Sequence, residues 1–207
     1  ASNGKTIAIN CGKESRVYDF DGASWQQLGD SIKSGSNGSS LSSDGKVFCN
    51  GGQIFIYDGE AWQSRSGVNG ASNFAMSGDG NTVVVGDPLN YLDSGSARVY
   101  RWDGVSYSKI GDNLLGRYGA DDWFGYAVAI SDDGDRVIVG AVRSKNTDPH
   151  SAYARIYEFD GSNWEHLGND INYWREGVPE SWGVWPRVIS VAISGDGNTL
   201  SVGETHV

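Results

Sequence analysis

Proline is rare in this 207-residue chain, with four copies against thirty glycines, and cysteine, histidine and methionine are rarer still. Two cysteines, Cys11 and Cys49, are too few to staple a disulfide scaffold. Repeat alignment puts Cys49 inside a strand and Cys11 just past the equivalent strand of the preceding unit. Buried free thiols are expected at both, with a bridge between neighbouring units as the alternative. The three histidines, His150, His166 and His206, are scattered, so each reads as a surface residue and nothing points to a metal cluster or a nucleophile triad. No apolar run approaches the ~20 residues of a membrane helix, and no charged segment followed by an apolar one opens the chain as a secretion signal would. No window repeats apolar residues at i, i+3, i+4 and i+7, which argues against helix. Sixteen Lys and Arg against 26 Asp and Glu give a net charge of -10, and phosphate recognition needs the opposite balance.

What the chain does have is glycine, eight tryptophans and ten tyrosines in a repeated order. The pattern D-G-x-x-(Trp or Tyr) recurs at Asp21 to Trp25, Asp58 to Trp62, Asp103 to Tyr107 and Asp160 to Trp164. Before each copy lies an alternating segment such as Arg98-Val99-Tyr100-Arg101-Trp102 or Arg155-Ile156-Tyr157-Glu158-Phe159, the period of a strand. A second element, S-x-D-G followed by an apolar run and Gly, recurs at Ser77 to Gly86, Ser131 to Gly140 and Ser194 to Gly203. Looser copies stand at Ser42 to Gly51 and Asn3 to Asn10. Each unit therefore reads as four strands, a to d, with tight a–b and c–d hairpins in which Asp or Asn bonds its own backbone and Gly supplies positive φ.

The expected fold is an all-β propeller of four-stranded antiparallel blades, because a single blade cannot cover both of its faces and stacked blades can. The units are 1–38 (strands b to d), 39–72, 73–122, 123–187 and 188–207 (strands a and b). A closed ring then requires residues outside this segment or a partner. Trp25, Trp62, Tyr107 and Trp164 are expected to pack between blades. A ring that buries ~150 to 250 Å² gains up to ~4 to 6 kcal/mol, against ~1 kcal/mol for a net hydrogen bond.

With these motifs, the chain resembles the FG-GAP repeats of integrin α-chain propellers and, more closely, secreted repeat proteins of marine bacteria and planktonic algae. Their unit reads D-x-F-G-x-S-V-A-L-S-x-D-G-x-x-V-A-V-G-A-P, then G-x-V-x-V-Y-x-W-D-G-x-x-W-x-x-L-G. The best copy runs from Asp122-Trp123-Phe124-Gly125 through Ser131-Asp132-Asp133-Gly134 to Gly140-Ala141-Val142. Phe-Gly occurs in that copy alone, Gly-Ala-Pro survives as Gly86-Asp87-Pro88, and Trp185-Pro186-Arg187 replaces the motif in the last unit. The resemblance implies a surface or extracellular propeller and fixes no ligand.

Candidate chemistry is sparse. Integrin-type blades hold calcium in the a–b loop, and Asp132, Asp133 and Asp135 are the matching carboxylates. The turn is too short to supply the roughly six to eight oxygens such an ion takes, so no cofactor is expected. Gly29-Asp30-Ser31-Ile32 looks like a hydrolase nucleophile block, yet its repeat equivalents are ordinary strand ends. The length variation lies in the b–c connections (87–96 and 141–152) and the d–a connections (112–124 and 170–187), all on one rim. Function concentrates on such loops. Tyr91, Tyr118, Trp123, Tyr173, Trp174, Trp182 and Trp185 are the candidate contact residues there, as Trp and Tyr anchor interfaces. Asn37-Gly38-Ser39 is a glycosylation acceptor sequence. The expected function is a non-catalytic extracellular or cell-surface module for protein–protein interaction, adhesion or self-assembly, with neither nucleic-acid binding nor membrane insertion. The alternative is a carbohydrate-binding or glycan-active propeller.

Overall fold

The computed structural model describes residues 1, 3–11, 13–33, 38–68, 73–90, 94–117, 122–142, 152–172 and 186–206, the side chains of 186–189 and 204–206 excepted. These residues form strands and turns in five antiparallel sheets. Blade 1 comprises β1 (Thr6–Cys11), β2 (Glu14–Phe20), β3 (Trp25–Gln27) and β4 (Ile32–Lys33). Blade 2 comprises β5 (Ser39–Leu41), β6 (Val47–Asn50), β7 (Gln53–Tyr57) and β8 (Trp62–Arg65). Blade 3 holds β9 (Asn73–Met76), β10 (Thr82–Asp87), β11 (Ser96–Trp102), β12 (Tyr107–Lys109) and β13 (Leu114–Leu115). Blade 4 holds β14 (Ala127–Ile130), β15 (Arg136–Ala141), β16 (Tyr153–Phe159), β17 (Trp164–His166) and β18 (Ile171–Asn172). Blade 5 pairs β19 (Pro186–Ile193) with β20 (Leu200–His206). Successive inner strands lie side by side, β5 on β9, β9 on β14 and β14 on β19, so the blades follow one another in an open arc about an axis.

The a–b hairpins repeat one hydrogen-bond set. Ser77 N–H donates to Thr82 O (2.9 Å), Thr82 N–H returns to Ser77 Oγ (2.9 Å), and the Ser77 hydroxyl donates to Asp79 (2.7 Å). The same set spans 42–47, 131–136 and 194–199. Gly80 is required here twice over: its φ is 72°, and a β-carbon would stand 2.6 Å from Val47 Cβ of the preceding blade. In the c–d turns Oδ1 of the leading aspartate accepts two main-chain N–H groups, for Asp21 those of Ala23 (2.8 Å) and Ser24 (2.9 Å), with like pairs at Asp58, Asp103 and Asp160.

Strand b is covered on both faces, and Val83, Val84, Val85, Val137, Ile138 and Val139 are fully buried. Between blades sit the hairpin aromatics. Trp164 is 6% exposed and its Nε1 donates to Ile110 O of blade 3 (3.2 Å); Trp62 does the same to Leu28 O of blade 1 (2.7 Å). Tyr107 reaches Ser66 Oγ of blade 2 with its N–H (3.2 Å). Trp25 differs at 45% exposed, with no described blade against its outer face. It pairs with Phe20 across the hairpin (5.3 Å).

Two further expectations change. Cys11 is exposed at the end of β1, whereas Cys49 is buried in β6 and burial pushes its thiol up to about 12; both are free. Strand d is also not continuous in blades 1, 3 and 4, since Gly29 (φ 62°), Gly111 (φ 65°) and Gly168 (φ 74°) turn the chain out of line between its two pieces.

Trp164→Ala is expected to cost about 3–5 kcal/mol in chemical denaturation, and Trp25→Ala under ~1 kcal/mol because the ring already meets water. The turn hydrogen bonds hold the carboxyls of Asp21, Asp58, Asp103 and Asp160 below their ordinary value, Asp21 to about 2. Folded values below unfolded ones mean that this stabilisation is complete above the ordinary carboxyl range and is lost as pH falls. Melting temperature measured against pH should therefore drop most between about 4 and about 2.

Candidate binding face at the loop rim

In a meandering blade the a–b and c–d turns share one rim, and the b–c and d–a connections share the other. The tight rim is closed by main chain. Ser43 N–H donates to Gly78 O (2.8 Å), Gly78 N–H to Asp132 O (2.9 Å) and Asp132 N–H to Gly195 O (2.9 Å), one bond per blade boundary. The Ser43 hydroxyl also reaches Asp132 Oδ1 (3.0 Å) over the bare Gly78. The carboxylates considered for calcium are thus spent separately: Asp133 accepts from its own turn (Asp135 N–H, 3.0 Å), Asp135 pairs with Arg101 of blade 3 (2.8 Å), and Asp132 faces Ser43. Pointing three ways, they do not fit a calcium shell.

The loop rim is built around Asp122-Trp123-Phe124-Gly125, the connection that enters blade 4. Phe124 is fully buried, stacked on Tyr153 (5.9 Å, 21°) and edge-on to Tyr157 (6.5 Å, 74°). Gly125 N–H donates to Gly140 O of β15 (3.1 Å). Its carbonyl presses on blade 3, where a β-carbon at Gly86 would lie 2.0 Å from Gly125 O. The glycine after the apolar run of one blade is therefore the seat for the Phe-Gly turn of the next. Trp123 takes φ 51°, the one described non-glycine residue with positive φ. That conformation persists because its neighbours are held: Asp122 is buried and its Oδ2 accepts from Tyr153 Oη (2.7 Å) and Arg117 N–H (3.2 Å). Burial raises the Asp122 carboxyl above its ordinary range.

A charged lattice surrounds this turn. Arg155 grips Asp170 with two nitrogens (2.7 and 2.9 Å), and Arg117 reaches Asp170 (3.2 Å) and Asn172 (2.6 Å) while lying 4.2 Å over the Tyr153 ring. His166 Nε2 stands 3.3 Å from the same carboxylate. The Arg155 guanidinium holds the Asp170 carboxyl below its usual range, and Asp170 in return raises Arg155. Arg117, Asp122, Tyr153, Arg155, Asp170 and Asn172 are thereby tied to one another. Between the inner strands a cavity of roughly 220 Å³ is lined by Ser39, Asn73, Tyr126, Ala127, Ser190 and Val191. Tyr126 is 39% exposed there, and its N–H donates to Trp123 O (3.1 Å).

Of the aromatics expected to matter, Trp123 lies half-buried beside Tyr126; Tyr91, Tyr118, Tyr173, Trp174, Trp182, Trp185 and the acceptor Asn37 lie outside the described residues. Tyr126 was not among them. Its signal was its place at the free position after Phe-Gly. Arg117, Arg155 and Asp170 carried none, being joined only by folding.

Residues 118–157 match the FG-GAP repeat. The arc is a β-propeller segment. Among solved structures the chain is similar to Kuenenia stuttgartiensis hydrazine synthase, with a TM-score of 0.56 and 15% identity over 99% of this chain and 80% of that one. It is similar also to TolB from Acinetobacter baumannii, with a TM-score of 0.51 and 12% identity over 98% of this chain and 47% of that one, so it spans about half of that protein. At such identities the likeness is one of fold. No curated protein sequence matches the chain.

Tyr153→Phe removes the donor to Asp122 and the acceptor of Arg117 N–H but keeps the Phe124 stack. It should cost about 1–3 kcal/mol in urea unfolding, more than Tyr157→Phe, whose hydroxyl meets only Arg155 at 3.4 Å.

Proposed function

We propose that this chain is a non-catalytic propeller module for protein–protein interaction, adhesion or assembly of an extracellular or cell-surface structure, with the loop rim as its contact face. The observation that carries the proposal is the FG-GAP turn. A strained, locked backbone at Trp123 holds Tyr126, 39% exposed, on the wall of the cavity between the inner strands. Rigid aromatics on a fixed base lose little entropy on binding, which is what makes them interface anchors. Tight turns and shared main-chain bonds leave the opposite rim little to vary. The resemblance to secreted repeat proteins supports the extracellular setting. A carbohydrate-binding role is the second reading, supported by a cleft of about 280 Å³ that Trp62, Phe55 and Asp30 line between blades 1 and 2.

Beads coated with the chain should bind cell-surface preparations, or the chain should self-associate in sedimentation velocity. The variant Tyr126→Ala should weaken that association at least ~10-fold at unchanged melting temperature. Trp174→Ala and Trp182→Ala test the rest of the rim in the same way. Turnover of any glycoside in a hydrolase panel would remove the non-catalytic reading.

A further inference from the structure

Three hairpin aromatics, Trp62, Tyr107 and Trp164, stand against a preceding blade, and each directs its main-chain N–H off the outer edge of its own sheet. The bond from Asp58 N–H to Ala61 O (3.2 Å) puts Trp62 in the outward-facing position of the ladder, and the equivalent bonds do so for Tyr107 and Trp164. Two of the three N–H groups are paired. Trp164 gives to Asn163 Oδ1 of its own hairpin (2.8 Å), and Tyr107 gives to Ser66 Oγ of blade 2 (3.2 Å). The Trp62 N–H has no partner among the described residues.

Asn163 does more than close its own turn. Its Oδ1 also accepts the Asp112 N–H of blade 3 (2.8 Å), and its Nδ2 donates to the Asp112 carboxylate (3.1 Å). The same frame stands between blades 2 and 1. Trp62 Nε1 donates to Leu28 O (2.7 Å) as Trp164 Nε1 does to Ile110 O (3.2 Å). A β-carbon on Gly29 would lie 3.1 Å from Trp62 Cδ1, and one on Gly111 2.7 Å from Trp164 Cδ1. Asp30 follows Gly29 as Asp112 follows Gly111, but Ala61 precedes Trp62 where Asn163 precedes Trp164. A cleft of about 280 Å³ opens there, bounded by Asp30, Ile32, Phe55, Ala61 and Trp62. Among the described residues the Asp30 N–H and carboxylate also lack hydrogen-bond partners.

We propose that this cleft takes the side-chain carboxamide of an asparagine in a partner protein. The two N–H groups and the carboxylate that Asn163 joins at the boundary of blades 3 and 4 are here left for a ligand, which must offer C=O and N–H along a single edge. Among protein groups only the carboxamides of Asn and Gln have that edge, and asparagine is the one the chain itself uses. In a main-chain amide or an acetamido group, both trans, the C=O and N–H point to opposite sides and cannot meet Asp30 together. A ligand carboxylate would set like charge against Asp30 and bring no proton to donate. In the bound arrangement the carboxamide oxygen accepts the Asp30 and Trp62 N–H groups, its nitrogen donates to the Asp30 carboxylate, and its methylene rests on Ile32 and Phe55. The assignment rests on the reading of the chain as a protein-interaction module. The cleft shares no residue with the cavity beside Tyr126, so Tyr126→Ala tests that reading separately.

The test is an NMR titration of the intact chain with the end-blocked tripeptides Gly-Asn-Gly and Gly-Asp-Gly and with N-acetylglucosamine. The asparagine peptide should shift the Asp30 and Trp62 main-chain amide signals saturably. The aspartate peptide should bind at least ~10-fold more weakly, having lost the N–H that the Asp30 carboxylate accepts. Ala61→Asn should fill the cleft from within, so that the melting temperature holds or rises while peptide binding falls at least ~10-fold. Asp30→Ala changes an exposed side chain, should weaken binding as much, and covers the case in which the asparagine variant misfolds. Equal binding of the two peptides, saturation by N-acetylglucosamine alone, no saturation by any of the three, or undiminished binding by both variants would each overturn the assignment.

Discussion

Everything in this fold depends on one contact, the seating of a hairpin aromatic of one blade on the main chain that ends strand d of the blade before it. Trp164, buried, and Trp62, partly buried, each combine a large ring with an indole hydrogen bond to a carbonyl at the end of the preceding blade's strand d. The glycine beside that carbonyl is where strand d breaks, and the break is what turns the carbonyl outward. Burial supplies most of the energy of the contact and the hydrogen bond fixes its register. A blade is thus completed by its neighbour, and stability is shared between units rather than owned by any of them.

The sequence states the local rules of this design with little ambiguity. Asp-Gly turns, alternating strands and recurrent aromatics name the hairpins outright, because each is fixed by residues within about six positions of one another. What the sequence does not show is what depends on position in the arc. Trp25 carries the same motif as Trp164, yet it stands 45% exposed where Trp164 is buried against the blade before it. Cys11 parts from Cys49 in the same way, lying at the strand end rather than within it. At the loop rim Trp123 was legible as an aromatic outside the repeat. The lattice of Arg117, Arg155, Asp122 and Asp170 was not, because its members lie in different strands and connections and read singly as ordinary surface charges.

The repeats also serve as internal controls. The Trp164 N–H is taken by Asn163 of its own hairpin and the equivalent Tyr107 N–H by Ser66 of the preceding blade, and comparing the boundaries says more than either does. Gly86 works likewise: its lack of a β-carbon is explained only by the Phe-Gly turn of the next blade pressing on it. The glycine and the turn form a single joint shared by two units.

The bonds that link the a–b turns all run in one sense, each amide giving to the carbonyl of the turn that follows. Such a chain has a head and a tail. A gene duplication that copies one whole unit inserts a link that gives forward and receives from behind, and the hub tolerates it. A copy that starts part-way through a unit interrupts the series and strands a donor at the axis, so growth of the protein by complete modules is written into the direction of a few peptide groups.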